Sequence, residues 1–139
     1  MTLRFLLDKN VLSERLRPVP DEGIVREMRR HGEEIATASP VWHELVFGCS
    51  LLPPSRKRSA IEEFLHGVIA GSIPILPYDA AAAEWHGGER ARLARGGRTP
   101  PFADGQIAAI AHVHDLEIIT ADVKHYLPFE GVRVRDWRS

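Results

Sequence analysis

Four acidic residues stand where strands and helices are predicted to meet. Asp8 closes the apolar run at residues 3–7 and precedes a helix, and Asp122 follows a second predicted strand. Glu44 falls in the first turns of a predicted helix, and Asp104 falls at the start of another. In a parallel sheet flanked by helices, ligands bind beyond the carboxyl ends of the strands. The four side chains are therefore placed for chemistry at one edge of the sheet.

Four carboxylates that converge on one sheet edge repel each other unless cations neutralise them. The spacing therefore predicts a metal site. Asp8 and Asp104 are its expected principal ligands, and Glu44 and Asp122 complete it directly or through bound waters. Each acid taken alone also has a simpler role. Asp8 and Asp104 are typical helix caps, Asp122 is typical of a turn, and Glu44 is typical of a solvated helix face.

Length and composition predict a single domain spanning residues 1–139. Because Cys49 is the only cysteine, no internal disulfide forms, and Asp8 and Lys9 interrupt the first apolar run too early for a signal peptide. No apolar stretch approaches the roughly 20 residues that a membrane-spanning helix requires. We therefore expect a cytoplasmic protein without a membrane segment. The net charge of −1 means that affinity for nucleic acid must come from a local patch or a metal ion.

Hydrophobic periodicity predicts strands and helices in alternation. Pro53 ends one helix, Asp79 caps another, and Ser39 is predicted to be the N-cap of a helix whose first position is Pro40. Pro74 places its strand at a sheet edge. Helical crossovers between strands imply an α/β fold with a mostly parallel sheet and helices on both faces. The predicted strands cover residues 3–7, 34–38, 73–76, 116–120 and 132–134, and the predicted helices cover residues 11–17, 21–31, 40–52, 56–68, 80–95 and 103–114.

Four short segments carry a resemblance to a known family. They are LLDKNVLS at residues 6–13, WHELVFG at 42–48, PFADGQIAA at 101–109 and ITAD at 119–122. Their order and spacing are similar to those of PIN-domain ribonucleases, and most similar to the VapC/FitB-type toxins of bacterial and archaeal toxin-antitoxin pairs. No single segment is very specific, but together they span nearly the whole chain.

The resemblance implies a three-layer α/β/α sandwich with a central parallel sheet, and Mg²⁺ or Mn²⁺ held by the four acids as the catalytic residues. It also implies an RNA substrate, a homodimer and inhibition by a small cognate antitoxin. Divalent ions suit such a ribonuclease because they activate water and stabilise the negative charge that develops on the phosphate. Asn10 and Thr120 are expected either to orient the carboxylates by hydrogen bonds or merely to cap a helix and form a turn.

Three residues depart from the usual pattern of these toxins. Lys9 stands where a small hydroxyl residue is common, Ala121 stands in place of an arginine, and His125 stands in place of a further acid. A poorly catalytic PIN-like module that binds RNA or a partner protein is therefore kept as an alternative to the nuclease.

A basic cluster lies between the predicted long helix and the segment that contains Asp104. It either holds the RNA backbone or is a solvated helix face. Its members are Arg90, Arg92, Arg95 and Arg98.

Apolar side chains on or beside the Glu44 helix exceed what one face of a small sheet needs to cover. We expect a groove there that takes an antitoxin helix, with a self-complementary dimer surface elsewhere. The side chains are Trp42, Phe47, Leu51 and Leu52.

Two other enzyme or switch classes fit less well. Asp8 followed by Asn10 resembles the nucleophile loop of haloacid-dehalogenase-like phosphatases, but the second acid of that motif is missing, which leaves a small phosphohydrolase as a weaker alternative. A phosphoreceiver switch needs an aspartate after its middle strand, and Asp79, the only candidate, is predicted to cap a helix. The single Cys49 also excludes a cysteine-rich zinc site.

Overall fold

The computed structural model describes residues 2–139, and the strands in this part of the chain form one sheet. The sheet order is β3-β2-β1-β4-β5, and each of the four pairings is parallel. The expected α/β fold with a parallel central sheet is therefore confirmed. The strands are β1 (Phe5–Leu7), β2 (Ile35–Ala38), β3 (Ile75–Leu76), β4 (Glu117–Ile119) and β5 (Val134–Arg135).

Helices connect the strands and flank the sheet. The chain crosses the sheet in one direction from β1 through β2 to β3, and in the opposite direction from β3 to β4. Because parallel crossovers are almost always right-handed, these two halves place their helices on opposite faces, which gives three layers. The helices are α1 (Lys9–Leu12), α2 (Glu22–Arg30), α3 (Ser39–Ser50), α4 (Arg56–Glu63), α5 (Ala70–Ser72), α6 (Ala80–Arg95) and α7 (Phe102–Val113).

The core forms around β1, the middle strand. All three residues of β1 are buried, as are Ile118 and Ile119 of β4, because a central parallel strand is covered on both faces and must be apolar throughout. Helix α7 contributes an unbroken buried run at residues 107–111. Its small alanines let the helix pack closely against the sheet, where it contacts β4.

Several predicted boundaries need correction. The helix expected at residues 11–17 is the short α1 followed by a 3₁₀ helix at Ser13–Leu16, and α4 continues as a π-helix at Phe64–Ile69. Ser39 is wrong as an N-cap, because α3 begins at Ser39 itself and Ala38 occupies the cap position, with Pro40 in the first turn. The last strand begins two residues later than predicted, at Val134.

Other local predictions are confirmed. Asp79 caps α6, since its side chain accepts a 3.0 Å hydrogen bond from the Ala82 backbone N–H. The strand after Pro74 lies at the edge of the sheet, where a proline costs no ladder hydrogen bond. Within residues 2–139, none of the helices is both long and apolar enough to span a bilayer.

Candidate active site at the ends of β1 and β4

The sheet has a topological switch point between β1 and β4. The chain leaves β1 towards β2 on one side and returns to β4 on the other side, so the loops that follow these two strands diverge and leave a crevice. The register pairs Leu7 with Ile119, and the Asp8 backbone N–H donates to the Ile119 carbonyl at 2.9 Å. Asp8 and Thr120 therefore lie side by side at the carboxyl ends of neighbouring strands.

Asp8 uses both of its carboxylate oxygens. Oδ1 accepts the Lys9 backbone N–H at 2.8 Å and so caps α1. Oδ2 accepts the Thr120 hydroxyl at 2.9 Å and the Tyr126 hydroxyl at 3.1 Å. The simpler role considered for Asp8, a helix cap, is thus correct for one oxygen only. The other oxygen is held by two buried hydroxyl groups that fix the orientation of the carboxylate.

Asn10 and Thr120 form a hydrogen-bonded network that extends from Asp8 to Asp122. The Thr120 hydroxyl oxygen accepts from the Asn10 amide at 3.2 Å and from the Asp122 backbone N–H at 3.0 Å. The Asn10 amide also donates to Asp122 Oδ2 at 3.0 Å, and its carbonyl oxygen accepts the Ala121 backbone N–H at 3.0 Å. Thr120 therefore donates to the Asp8 carboxylate, and Asn10 donates to the Asp122 carboxylate, as expected for residues that orient them.

Asp104 lies in the first turn of α7 but does not cap it, because the N-cap position is Pro101. Its Oδ2 atom is buried and has no hydrogen-bond partner in the part of the chain that is described. Burial is the main cause that raises the pKa of Asp104, and the nearby charges of Asp8 and Asp122 raise it further. His125, whose Nδ1 lies 3.6 Å from Asp104 Oδ2, acts in the opposite direction.

Glu44 lines the same cleft from α3. It lies in the second turn of α3, beside the buried Leu45, and is itself exposed. One cleft of about 230 Å³ contains all four predicted acids. Its lining is Asp8, Lys9, Asn10, Pro40, Val41, Glu44, Ala103, Asp104, Ile107, Asp122, His125 and Tyr126.

The cleft fits a partly hydrated divalent cation better than a fully enclosed one. Among residues 2–139, no three His, Cys, Asp or Glu side chains are grouped closely enough to hold a metal ion by themselves. Mg²⁺ in proteins is commonly held by one or two carboxylates and keeps several waters, so it needs no such cage. Asp104 Oδ2, which is buried and has no hydrogen-bond partner among residues 2–139, is an acceptor that a cation would satisfy. The donor set is also oxygen-rich, as hard cations require.

Comparison with known proteins decides the family. The model of the PIN domain family matches residues 5–127 of the chain. The chain belongs to the PIN domain family. Toxin FitB of Neisseria gonorrhoeae is 32% identical over 139 residues, covering 96% of this chain and 99% of that protein. The tRNA(fMet)-specific endonuclease VapC of Shigella flexneri is 32% identical over 136 residues, covering 97% and 98%.

Solved structures of toxin-antitoxin complexes share this PIN fold. FitAB bound to the IR36 DNA fragment superposes with a TM-score of 0.83 at 29% identity, covering 97% of this chain and 96% of that chain. DNA-bound VapBC from Salmonella typhimurium also gives a TM-score of 0.83, at 27% identity, covering 97% and 98%. The resemblance to VapC/FitB-type toxins stated from the sequence motifs is therefore confirmed.

Two residues of this PIN domain site were not predicted to take part in it. Tyr126 is almost fully buried, and burial, followed by the charge of Asp8, raises its pKa so that its hydroxyl stays protonated as a donor. His125 faces Asp104, whereas the sequence alone shows it only as a departure from the family pattern. A 3₁₀ helix at Val123–His125 places both side chains, and its only sequence signal is their position just after Asp122.

The predicted arginine cluster does not form one surface. Arg92 pairs with the nearly buried Glu89 and also donates to the Pro128 carbonyl at 3.0 Å, so it ties α6 to the loop before β5. Arg90 lies over the Phe102 ring, with 5.2 Å from its guanidinium carbon to the ring centroid. Arg98 lines a second depression of about 360 Å³. This depression adjoins the cleft, since Asp104 and His125 line both.

The expected apolar surface beside Glu44 is partly present. Phe47 and Leu51 are exposed, with 52% and 69% of their surface accessible. Trp42 is instead half-buried and packs edge-on against His66 at a ring-centroid distance of 5.5 Å. Only the outer part of the predicted group is therefore available to a partner.

Proposed function

We propose that this chain is a metal-dependent endoribonuclease and the toxin of a type II toxin-antitoxin pair, active as a homodimer and neutralised by a cognate antitoxin. The observation that carries the proposal is the convergence of four acids, from four separate elements, on one cleft at the switch point of a PIN domain. The names of the relatives support the same class of activity, since they include endonucleases and toxins. The VapC of Shigella flexneri is named as a tRNA(fMet)-specific endonuclease, which makes tRNA the first substrate to test.

In the proposed site, Asp8 and Asp104 would be the principal ligands of Mg²⁺ or Mn²⁺, and Glu44 and Asp122 would contribute directly or through water. A bound divalent ion supplies a water of lowered pKa and neutralises charge on the phosphate. Because Thr120 and Tyr126 hold Asp8 Oδ2, that carboxylate has a fixed direction before any ion or substrate arrives. Such second contacts commonly alter metal affinity or activity by about 10–100-fold when removed.

The RNA backbone has a cationic path to the site despite the net charge of −1. Lys9 lines the cleft, and Arg98 and Lys124 line the depression that shares Asp104 with it. These three side chains and the acids thus line two adjoining depressions. We therefore propose the three side chains as backbone contacts, which give affinity but little sequence preference.

Metal binding is tested by thermal unfolding of chelator-treated protein. A ligand that binds only the folded state stabilises it by about 2.7 kcal/mol at 100 times its Kd. For a chain of this length, we expect Mn²⁺ or Mg²⁺ at saturating concentration to raise Tm by roughly 6–12 °C. A melting temperature unmoved by millimolar metal contradicts the proposed metal site.

Catalysis is tested with charge-neutral variants of the acids. RNA cleavage by Asp104→Asn and Glu44→Gln should fall by about 100-fold or more, the scale seen when a group that stabilises the transition state is lost. The matched control is Glu62→Gln on α4, which removes only an exposed pair with Arg58 and should leave cleavage unchanged. The assay uses antitoxin-free protein, purified tRNA and total RNA, with Mn²⁺ or with chelator.

The outcome of that assay separates the alternatives. Wild-type protein that binds RNA without cutting it would favour the poorly catalytic module, for which Ala121 and His125 give a reason. Cleavage of small phosphoesters in place of RNA would favour a phosphohydrolase. Equal cleavage by both acid variants and the wild type would show that the acids are structural, and the nuclease proposal would be wrong.

A further inference from the structure

We infer that His125 supplies an imidazole nitrogen to the divalent ion of the cleft, beside Asp104. The site should therefore bind ions that favour nitrogen ligands more tightly than it would if all its ligands were carboxylates. This inference rests on the proposed metal-dependent function and adds to it a ligand and an ion preference that an all-carboxylate site would not have.

The geometry places a nitrogen and an oxygen at a spacing suited to one metal ion. His125 Nδ1 lies 3.6 Å from Asp104 Oδ2, which is beyond hydrogen-bond distance, and Asp104 Oδ2 is buried and unpartnered among the described residues. Bonds of about 2.1 Å from one ion separate two ligand atoms by about 3.0 Å at a right angle and about 3.4 Å at a tetrahedral angle. The observed separation is within a few tenths of an ångström of that range.

The backbone holds His125 at this position. Its N–H donates to the Asp122 carbonyl at 3.0 Å within the 3₁₀ helix, and the next residue is Tyr126, whose hydroxyl is bonded to Asp8. His125 therefore stands between two residues that are each anchored to the site. Its side chain is 56% exposed, so the imidazole can turn towards an ion without displacing core residues.

Ion preference follows from ligand chemistry. Carboxylate and water ligands suit Mg²⁺ and Mn²⁺, whereas imidazole suits later transition ions such as Ni²⁺. Adding one nitrogen to a carboxylate site should therefore strengthen Ni²⁺ binding and leave Mg²⁺ binding nearly unchanged. The alternative role of His125 is to form an ion pair with Asp104. In that case the histidine would weaken the binding of every divalent cation to a similar extent.

The first test is spectroscopic. Tag-free, chelator-stripped protein is loaded with Mn²⁺, and pulsed electron paramagnetic resonance is used to detect ¹⁴N coupled to the ion. We expect the nitrogen signal in the wild type and its loss in His125→Gln, with Mn²⁺ still bound. The matched control is His43→Gln, which changes the exposed imidazole next to Glu44 on α3 and should retain the signal.

The second test is calorimetric. His125→Gln should weaken Ni²⁺ binding by about tenfold or more, while Mg²⁺ binding changes by less than about threefold. Equal losses of Ni²⁺ and Mg²⁺ affinity in His125→Gln would overturn the inference. It would also be overturned if Mn²⁺ binding requires Asp104 but the bound ion shows no ¹⁴N coupling. If the wild type binds no Mn²⁺ at all, the proposed metal-dependent function fails together with this inference. That result is distinct, because it appears before any histidine is changed.

Discussion

In the metal-free protein, Asp104→Asn should raise the free energy of unfolding, whereas Asp8→Asn should lower it. Both changes remove one negative charge from the same cleft, so a simple repulsion argument predicts that both stabilise the fold. The hydrogen bonds differ, however. Asp8 accepts three donors, whereas Asp104 has a buried oxygen that accepts none in the described chain.

Asp104→Asn should stabilise the metal-free protein at neutral pH. An unsatisfied buried polar group costs about 1–3 kcal/mol, and more when it is charged. Because a neutral amide is cheaper to bury, we expect a gain of roughly 1–2 kcal/mol, which raises Tm by roughly 2–8 °C. The side chain of Asp104 is only 15% exposed, so solvent screening does not remove the effect.

The same gain should depend on pH. Since the pKa of Asp104 is raised in the folded state, folding favours its protonated form. Below the unfolded pKa of about 3.9, Asp104 is protonated and does not destabilise the wild type. As the pH rises towards the raised folded pKa, the carboxylate ionises and the wild type loses stability. Above the folded pKa, this loss of stability is complete. The advantage of Asp104→Asn should therefore shrink as the pH falls from neutral towards that unfolded pKa.

Asp8→Asn should destabilise the protein. If the amide NH₂ group is turned towards Lys9, it meets the Lys9 backbone N–H, which only donates. If it is turned the other way, it meets the Thr120 hydroxyl, whose oxygen already accepts from Asn10 and from the Asp122 backbone N–H. Losing these bonds should cost about 1–3 kcal/mol. Asparagine is nearly as good an N-cap as aspartate, so capping alone would predict almost no change.

The measurement is urea and thermal unfolding in chelator, over a pH series from 7.5 downwards. Asp79→Asn is the matched control, because Asp79 is a helix cap outside the cleft and its replacement should change stability by only a few tenths of a kcal/mol. If Asp8→Asn and Asp104→Asn shift the midpoint in the same direction at neutral pH, the difference in their hydrogen bonding is not what sets their stability.

Four further outcomes are expected. Thr120→Val should cost about 2–3 kcal/mol in urea unfolding and Thr120→Ser much less, since serine keeps the hydroxyl; equal losses would contradict the network. Tyr126→Phe should cost about 1 kcal/mol and lower RNA cleavage, and a variant as active as the wild type would remove its orienting role. Arg98→Gln with Lys124→Gln should raise KM for RNA and reduce the salt slope by up to about 2 with kcat little changed, whereas a pure kcat loss would count against backbone contact. Leu51→Glu should leave cleavage intact but weaken inhibition by the cognate antitoxin in a titration, and unchanged inhibition would place the partner elsewhere.

The location of the central strands and the placement of the four acids at one cleft could be predicted from the sequence, for physical reasons. A central parallel strand must be apolar on both faces, so Phe5–Leu7 is recognisable without an alignment. The polar residue that ends such a strand marks the sheet edge, which is how Asp8 and Asp122 could be placed. Glu44 and Asp104 could be placed near helix starts, because a proline, which favours the first turn of a helix, precedes each of them by a few residues.

The remaining contacts could not be predicted because they join residues far apart in the chain. The Tyr126 hydroxyl reaches Asp8 across 118 positions, and nothing in the local pattern distinguishes it from a core aromatic. Arg92 is predicted from the sequence to be part of a basic face, but it donates to the Pro128 carbonyl, 36 positions away, and this contact gives it a structural role. A charge pattern along one helix cannot reveal such partners, since they depend on where another loop passes.

The unequal bonding of Asp8 and Asp104 has a consequence for how an ion would bind. Asp8 is oriented before binding by groups that remain in place, so its contribution needs no rearrangement. Asp104 instead carries a desolvated oxygen whose cost is borne by the folded, metal-free protein. A cation that satisfies this oxygen removes that cost, and by linkage the stability lost in the metal-free state reappears as binding free energy. Asp104→Asn should therefore raise the melting temperature without metal and abolish most of its further rise with metal, two effects of one atom.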